Sequence, residues 1–235
     1  MVPVSFAPLP FAGHDMSMAD GRALYWPTER TLLVADLHLE KGSWYAQRGQ
    51  MLPPYDSRAT LERLADIVKA SGARRVITLG DNFHDDAGAL RLDPFAKGML
   101  EGLIRAIDFV WITGNHDENM ARSFGGEVVP ELELGGIVLR HEARPGELCH
   151  ELSGHYHPKL RIKVRNRSIA RPCAVLGRVA AGGAERMILP AFGAYTGGMD
   201  AAAPEIRAAL SPAGSLEALV PAKGKIARFA LCSAD

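Results

Sequence analysis

Cysteine is scarce in this sequence of 235 residues, which contains three of them and no Cys-x-x-Cys pair. A disulfide framework or a cysteine zinc site is therefore not expected, and a reducing compartment fits best. No apolar run approaches the roughly 18 residues that a membrane span requires. Lysine and arginine are absent before Arg22, so the N-terminus lacks the basic region of a signal peptide. We therefore expect a cytoplasmic protein with no membrane partner.

The sequence also has no net charge, because its 27 Lys and Arg residues balance its 27 Asp and Glu residues. Any nucleic-acid site must therefore come from a local patch rather than from the whole molecule. Apolar residues make up 47% and charged residues 23%, which excludes a disordered or fibrous chain. Because no linker-like stretch divides the sequence, we interpret residues 1–235 as one domain. The sequence leaves the oligomeric state open, a homo-oligomer included.

The first half of the chain alternates β-like runs with helical patterns. A hairpin is predicted at about 14–26, because Asp20-Gly21 is a strong turn signal. Helices are predicted to begin at Asp56 or Ser57, either of which can cap, and at Asp93-Pro94. Three β-rich runs alternate with these helices: Thr31–Ala35, Arg75–Leu79 and Phe109–Thr113. The alternation favours a parallel βαβ core and hence an α/β fold. After Glu127, short β-like runs with few helices predict an antiparallel or mixed sheet.

Polar side chains able to hold a metal follow five of the predicted strands. In open α/β sheets, functional sites gather at the carboxyl ends of strands. These ends carry carboxylate, amide and imidazole groups but no thiolate: Asp36, His38, Asp81, Asn115, His141, His155 and His157. Such a mixture suits Mn²⁺, Fe or Zn²⁺. Seven ligands with one shared carboxylate suit two ions roughly 3.5–4 Å apart, as in two-metal phosphate chemistry.

The order of these motifs, D-x-H, G-D-x-x-H, G-N-H-D, H and G-H-x-H, resembles that of the calcineurin-like metallophosphoesterases over roughly residues 31–192. The resemblance implies a two-sheet sandwich flanked by helices (αββα). It implies that one ion is held by Asp36, His38, Asp81 and His157, and the other by Asp81, Asn115, His141 and His155. It also implies that His116 lies beside the leaving group and that Asp117 orients it.

Further segments are similar to those of the ligase-associated DNA-damage-response phosphoesterases, the PdeM group: Asp20–Pro27, Asp36–Gly42, Arg48-Gly49 and Pro190–Gly198. This similarity implies a DNA endonuclease or phosphodiesterase with two divalent ions, Mn²⁺ first among the candidates. It also implies functional links to a DNA ligase, a helicase and an exonuclease in DNA repair.

Two further histidines need an interpretation. His150 precedes its predicted strand, whereas His141 follows one, so His141 is the better ligand candidate. His84 is interpreted as a partner of a ligand or as a substrate contact, because the two ions already have enough ligands.

A basic run follows the last motif, and in it cations alternate with aliphatic residues: Lys159, Arg161, Lys163, Arg165 and Arg167. Because successive side chains of a strand point to opposite faces, this alternation would place all five cations on one face. Such a face either guards a sheet edge or follows a phosphate backbone. Five cations in register favour the second reading, so Arg161, Lys163 and Arg165 become candidate substrate contacts. Lys41 and Arg48 either extend this basic surface or are ordinary surface charges.

Three functions are compatible with these motifs. A two-metal phosphodiesterase acting on nucleic acid is the leading interpretation. The alternative is a hydrolase of small phosphate compounds such as nucleotides, which the zero net charge and the lack of an aromatic-rich strand favour. A non-catalytic scaffold is disfavoured, because every ligand position and His116 are retained.

Overall fold

The structure is a computed structural model that describes residues 3–19, 21–114, 123–165, 167–180 and 183–231. Two seven-stranded sheets pack face to face, with helices on their outer sides and a separate two-stranded hairpin. The α/β two-sheet sandwich is thereby confirmed. Three predicted site residues lie outside the described residues: Asn115, His116 and Asp117.

The first sheet contains seven strands in chain order: β1 (Phe6–Pro8), β2 (Ser17–Ala19), β3 (Ala23–Trp26), β4 (Thr31–Ala35), β5 (Arg75–Leu79), β6 (Asp108–Ile112) and β7 (Glu127–Val129). Strands β1 to β4 pair antiparallel, and β4 to β7 pair parallel. The predicted hairpin corresponds to β2 and β3, and all three predicted parallel strands form. All residues of β4 are buried, because a parallel strand is covered on both faces.

Four helices belong to this half of the chain: α1 (Lys41–Ala46), α2 (Asp56–Ser71), α3 (Gly88–Arg91) and α4 (Pro94–Ala106). Helix α4 begins where it was predicted, because the Asp93 side chain accepts hydrogen bonds from the backbone N–H groups of Phe95 and Ala96. Leu61 and Leu64 of α2 and Leu100 of α4 pack in one core with the outer face of the sheet. Among the described residues, no helix is long and apolar enough to cross a membrane.

The start of α2 was predicted correctly, but the capping role given to Asp56 and Ser57 was wrong. Tyr55 is the N-cap, and no side chain caps the helix. Asp56 instead accepts a hydrogen bond from the backbone N–H of Gly42 at 2.9 Å, and Ser57 accepts one from that of Glu40 at 2.8 Å. Both side chains are buried, so their polar atoms bind the start of α1 rather than their own helix.

The second sheet has the order β16-β15-β13-β14-β10-β9-β8. Its strands are β8 (Glu131–Leu134), β9 (Ile137–Arg140), β10 (His150–Ser153), β13 (Ala174–Arg178), β14 (Glu185–Ile188), β15 (Ser215–Ala222) and β16 (Lys225–Ala230). Pairing is parallel for β9, β10 and β14 and antiparallel elsewhere, so the predicted mixed sheet is confirmed. Helix α5 (Pro204–Ala209) packs on its outer face.

The main core lies between the two sheets. Leu33, Ile77 and Ile112 of the first sheet share one buried cluster with Leu139 and Leu176 of the second. Because both sheets bury this face, their strands are held in fixed positions relative to each other.

The basic run forms the separate hairpin of β11 (Lys159–Val164) and β12 (Arg167–Pro172). The expectation of five cations on one face was wrong, because β11 ends at Val164 and Arg165 has a left-handed backbone with φ of 46°. Arg167 pairs with Val164 and therefore lies on the opposite face from Arg161 and Lys163. The face shared with Lys159 thus carries three cations of this strand.

Candidate metal centre

The six predicted ligands that the structure describes meet where the parallel strands of both sheets end. Asp36 follows β4, and Asp81 follows β5 after one glycine. His141 follows β9 directly, and His155 follows β10 after one glycine. The backbone N–H of His155 donates to both carboxylate oxygens of Asp36, at 3.1 and 3.0 Å. This contact joins the two sheets at the site.

One group of ligand atoms consists of Asp36, His38, Asp81 and His157, all within 4.8 Å of one another. The Nε2 atoms of His38 and His157 are 3.1 Å apart. His38 Nε2 lies 3.6 Å from Asp81 Oδ2, and His157 Nε2 lies 3.5 Å from Asp36 Oδ1. Two carboxylate oxygens and two imidazole nitrogens therefore surround a space of the size of one ion.

A second group consists of Asp81, His141 and His155 within the same limit. His141 Nε2 lies 3.4 Å from Asp81 Oδ1 and 3.0 Å from His155 Nδ1. Asp81 therefore directs one oxygen to each group. The structure thus brings six of the seven predicted ligands into two groups that share Asp81, and their assignment to two ions stays a prediction. Asn115 lies outside the described residues.

Neighbouring groups orient the imidazoles. Nδ1 of His141 lies 3.0 Å from the carbonyl oxygen of Leu79. A carbonyl can only accept, so Nδ1 carries the proton and the lone pair of Nε2 faces Asp81 and His155. His38 directs Nε2 to its group, while its Nδ1 lies 3.5 Å from His84 Nδ1. His84 thus lies behind a ligand and outside both groups. Histidine ligands commonly have such a partner at the second nitrogen.

The electrostatics of the site favour bound cations. Asp36 is fully buried, and no Lys or Arg among the described residues lies within 4 Å of its carboxylate. A buried carboxylate in this position needs positive charge close to it. Burial, reinforced by His157 and Lys41, lowers the pKa of His38 to about 2, and burial with Lys41 lowers that of His84 to about 4. Both rings are therefore neutral at pH 7, the form in which histidine binds metals. The donor set fits divalent ions that accept both oxygen and nitrogen ligands.

The backbone at the site is strained. Five of the six described ligand residues have left-handed φ angles between 44° and 73°: Asp36, His38, Asp81, His155 and His157. Non-glycine residues rarely adopt this region, and each such residue costs of the order of 1–3 kcal/mol. The surrounding core maintains these conformations, which turn consecutive polar side chains into one space.

Glycines next to the ligands permit their close approach. A Cβ at Gly80 would overlap the His141 ring, and one at Gly154 would lie 2.7 Å from Asp36 Oδ2. One at Gly114 would overlap the backbone and carboxylate of Asp81. The glycine that opens three of the five motifs is thus a packing requirement, which the sequence alone showed only as a motif letter.

Several residues near the centre were not identified from the sequence. Trp44 and Tyr45 of α1 contact the His84 ring, with centroids 4.8 and 6.3 Å away. Tyr156 donates a hydrogen bond to Glu142 at 3.1 Å, and Glu142 lies 3.8 Å from His155 Nε2. The signal for Tyr156 was its place inside the G-H-x-H motif. No signal was available for Trp44 and Tyr45, because only the fold brings α1 beside His84.

The predicted substrate contacts lie beside the centre and not in it. Lys159 is two residues beyond His157 and donates to the Thr196 carbonyl at 3.1 Å. Arg161 is exposed and lies 3.7 Å from Asp200, and Lys163 and Arg165 are exposed farther along the hairpin. His150 accepts a hydrogen bond from the Glu185 backbone N–H and lies outside both ligand groups, as expected.

The fold and the ligand groups define a metal-dependent phosphoesterase. The family model of the calcineurin-like phosphoesterases matches residues 29–166, and the chain belongs to that family. No curated protein matches the sequence. The solved structure of the nuclease MPE of Pseudomonas putida is similar, with 28% identity and a TM-score of 0.70 over 95% of this chain and 100% of that chain. Vacuolar Protein Sorting 29 from Cryptosporidium parvum gives 17% identity and a TM-score of 0.32 over 85% of this chain and 95% of that chain.

Proposed function

We propose that the centre holds two divalent ions, Mn²⁺ before Fe or Zn²⁺, and that Asp81 bridges them. Asp36, His38 and His157 complete the set for one ion, and His141, His155 and Asn115 that for the other. When bound, such ions supply Lewis-acid stabilisation of phosphoryl oxygens and lower the pKa of a water molecule that they hold. The six converging ligand residues that the structure describes support this assignment and disfavour a non-catalytic scaffold.

We propose further that the substrate is nucleic acid, with DNA as the first candidate, and that the chain cleaves its phosphodiester bonds. The observation that carries this proposal is the similarity to a nuclease along nearly the whole length of both chains. The hairpin supports it, because Arg161 and Lys163 share an exposed face that begins two residues after His157. Cations in that position can contact phosphates on either side of the one being cleaved.

In this proposal some groups of the chain orient the metal ligands, and others transfer a proton. The backbone carbonyl of Leu79 and the side chain of His84 hold the rings of His141 and His38, so that Nε2 of each faces its group. His116 gives a proton to the departing oxygen, and Asp117 orients His116. General acid catalysis of this kind contributes typically 10²–10⁴-fold.

A hydrolase of small phosphate compounds remains the second candidate. Zero net charge favours it, and so does the Asp200 carboxylate 3.7 Å from Arg161, which partly offsets the charge of the hairpin. The functional link to a DNA ligase, a helicase and an exonuclease in DNA repair is supported by the sequence resemblance alone.

A matched assay with Mn²⁺ distinguishes the two candidates. Its substrates are a nitrophenyl phosphodiester, a nitrophenyl phosphomonoester, and single-stranded and duplex DNA of equal length. The nuclease proposal predicts hydrolysis of the diester and of at least one DNA form, with loss of both activities in chelator. Rapid hydrolysis of the small esters with intact DNA of both forms would favour the small-substrate candidate.

A further inference from the structure

A groove of about 530 Å³ lies beside the metal centre, and none of its lining residues belongs to the ligand groups. One wall is α1, which begins three residues after His38. The other wall is the segment 195–197, which follows Gly193. The backbone N–H of Gly193 donates to the Asp36 carbonyl at 3.1 Å, so this wall is attached to the centre.

Two tyrosines lie on opposite walls of the groove. Tyr45 packs against Trp44 and lies nearly parallel to His84, at an angle of 17° between ring planes. A continuous series of rings therefore leads from the ligand His38 through His84 to Tyr45. The Tyr195 hydroxyl donates to the Pro53 carbonyl at 3.0 Å, which holds that ring in place. Both tyrosines are half-buried, so part of each ring remains accessible from the groove.

Lys41 lines the same groove and lies close to the metal centre, since its charge contributes to the lowered pKa of His38 and of His84. Its ammonium group makes no hydrogen bond and no ion pair within 4 Å with any residue in the described ranges. Burial lowers its pKa, while Asp81 and Asp56 act in the opposite direction, so Lys41 is electrostatically coupled to the centre. A half-buried cation that pairs with none of the described residues loses part of its hydration, and an anionic ligand would compensate for that loss.

We propose that this groove binds one nucleotide of a single-stranded nucleic acid next to the phosphate that is cleaved. Lys41 contacts a phosphate of that nucleotide, and its base stacks on Tyr45 with Tyr195 on the opposite wall. The strand must be single at this position, because a base inside a duplex has no free face. The inference rests on the proposed function and adds a base-binding subsite to it.

The first experiment is a double-mutant cycle, in which one change removes the Tyr45 ring and the other removes the substrate base. An abasic residue is placed in turn at each position within three nucleotides of the cleavage site of a single-stranded oligonucleotide. In the parent, the abasic residue is expected to lower kcat/KM at one of these positions by about 5- to 150-fold, the range that corresponds to the loss of one base–aromatic stack. In Tyr45→Ala, the abasic residue at that position is expected to cause little further loss, because the stack is already absent. Tyr45→Phe should behave as the parent.

Tyr55→Ala is the matched control, because Tyr55 is an exposed tyrosine at the start of α2 that does not line the groove. It should retain both the oligonucleotide activity and the abasic penalty. The ratio of oligonucleotide to nitrophenyl diester kcat/KM should fall in Tyr45→Ala and stay constant in Tyr55→Ala.

Binding without turnover provides a second readout. Trp44 packs against Tyr45 and is half-buried, whereas Trp26 and Trp111 are fully buried, so a change in the fluorescence of the chelated protein on binding is expected to come mainly from Trp44. Adding single-stranded oligonucleotide should change this fluorescence. The salt slope is the steepness with which the logarithm of the binding constant falls as the logarithm of the salt concentration rises. Lys41→Gln should lower this slope by about 0.7, the contribution of one single-strand phosphate contact, and Lys41→Arg should retain it.

Equal abasic penalties in the parent and Tyr45→Ala at every position would overturn the subsite while leaving the nuclease proposal intact. Hydrolysis of the nitrophenyl diester without cleavage of any oligonucleotide would overturn the nuclease proposal and the subsite together.

Discussion

The Nε2 atoms of His38 and His157 lie 3.1 Å apart, although 119 positions of the chain separate the two residues. One follows a strand of the first sheet and the other a strand of the second, so only the packed sandwich brings them together. Ligands of one Zn²⁺ or similar ion, each about 2.0–2.1 Å from it, have comparable mutual distances. The pair thus forms half of a four-residue group whose spacing suits one ion.

Divalent metal should therefore stabilise the folded chain. An ion that binds only the folded state adds about 2.7 kcal/mol at 100 times its Kd. For a chain of this size, that corresponds to a rise in Tm of roughly 5–10 °C. Thermal unfolding with Mn²⁺ and with chelator measures the shift, and His150→Gln should show the same shift as the parent. Identical Tm values with and without Mn²⁺, Fe²⁺ and Zn²⁺ would contradict a metal centre.

Gly80→Ala should disrupt the second ligand group. Its Cβ would overlap the His141 ring, and φ at Gly80 is +73°. Crowding of this kind costs typically 1–3 kcal/mol, in addition to about 1–2 kcal/mol for the left-handed backbone. Gly136→Ala is the control, because φ there is +77° and a Cβ would meet no atom within 4 Å. Urea unfolding and metal analysis should show a larger loss of stability and of metal in Gly80→Ala. Equal stability and full metal content in both variants would refute the packing argument.

The stability of the metal-free protein should fall in acid more steeply than that of His38→Asn. Burial lowers the folded-state pKa of His38 to about 2, whereas the unfolded chain has the ordinary value of 6.5. As the pH falls below 6.5, the unfolded state binds a proton that the folded state does not, so His38 progressively destabilises the fold down to about pH 2. Between pH 7.5 and 5.0 this amounts to about 2 kcal/mol. Denaturant unfolding of both chelated proteins at the two pH values gives the difference, and parallel pH profiles would argue against a neutral, buried His38.

The two faces of the hairpin should differ in nucleic-acid binding. Replacing Arg161 and Lys163 by glutamine removes two cations from the face that Lys159 shares, whereas replacing Arg167 and Arg171 removes two from the opposite face. The first double variant should reduce the salt slope of single-strand binding by about 1.4, and the second should leave it close to that of the parent. Equal effects of the two double variants would show that the hairpin contributes only general charge.

Much of the first sheet was predictable from local signals. β4 and β5 are short apolar runs in a parallel sheet, and α4 begins at an Asp cap followed by proline. β15 was not predicted, because Pro221 lies near its end and the apolar run 218–220 interrupts the alternation of polar and apolar residues. The turn after β11 was missed, and with it the separation of Arg167 from Arg161 and Lys163, since Arg165 adopts a left-handed conformation that no glycine indicates in the sequence.

The candidate site followed from motif order more than from local structure. Polar residues at strand ends indicated the ligands, because parallel strands bring their carboxyl ends to one edge of the sheet. The groove between Tyr45 and Tyr195 was not predictable, because 150 positions separate these residues and only the packing of the loops pairs them. The same holds for His84 behind His38, whose contact depends on how β4 and β5 end side by side.

The central claim, two ions bridged by one carboxylate, is tested most directly by metal content in the parent and in Asp81→Ala. Asp81 directs Oδ1 to His141 and Oδ2 to His38, so its removal takes a ligand from both groups. Elemental analysis after dialysis against Mn²⁺ should find two equivalents per chain in the parent. In Asp81→Ala it should find far less than one, whereas His157→Ala and His141→Ala should each retain about one. Two full equivalents in Asp81→Ala would contradict the bridge.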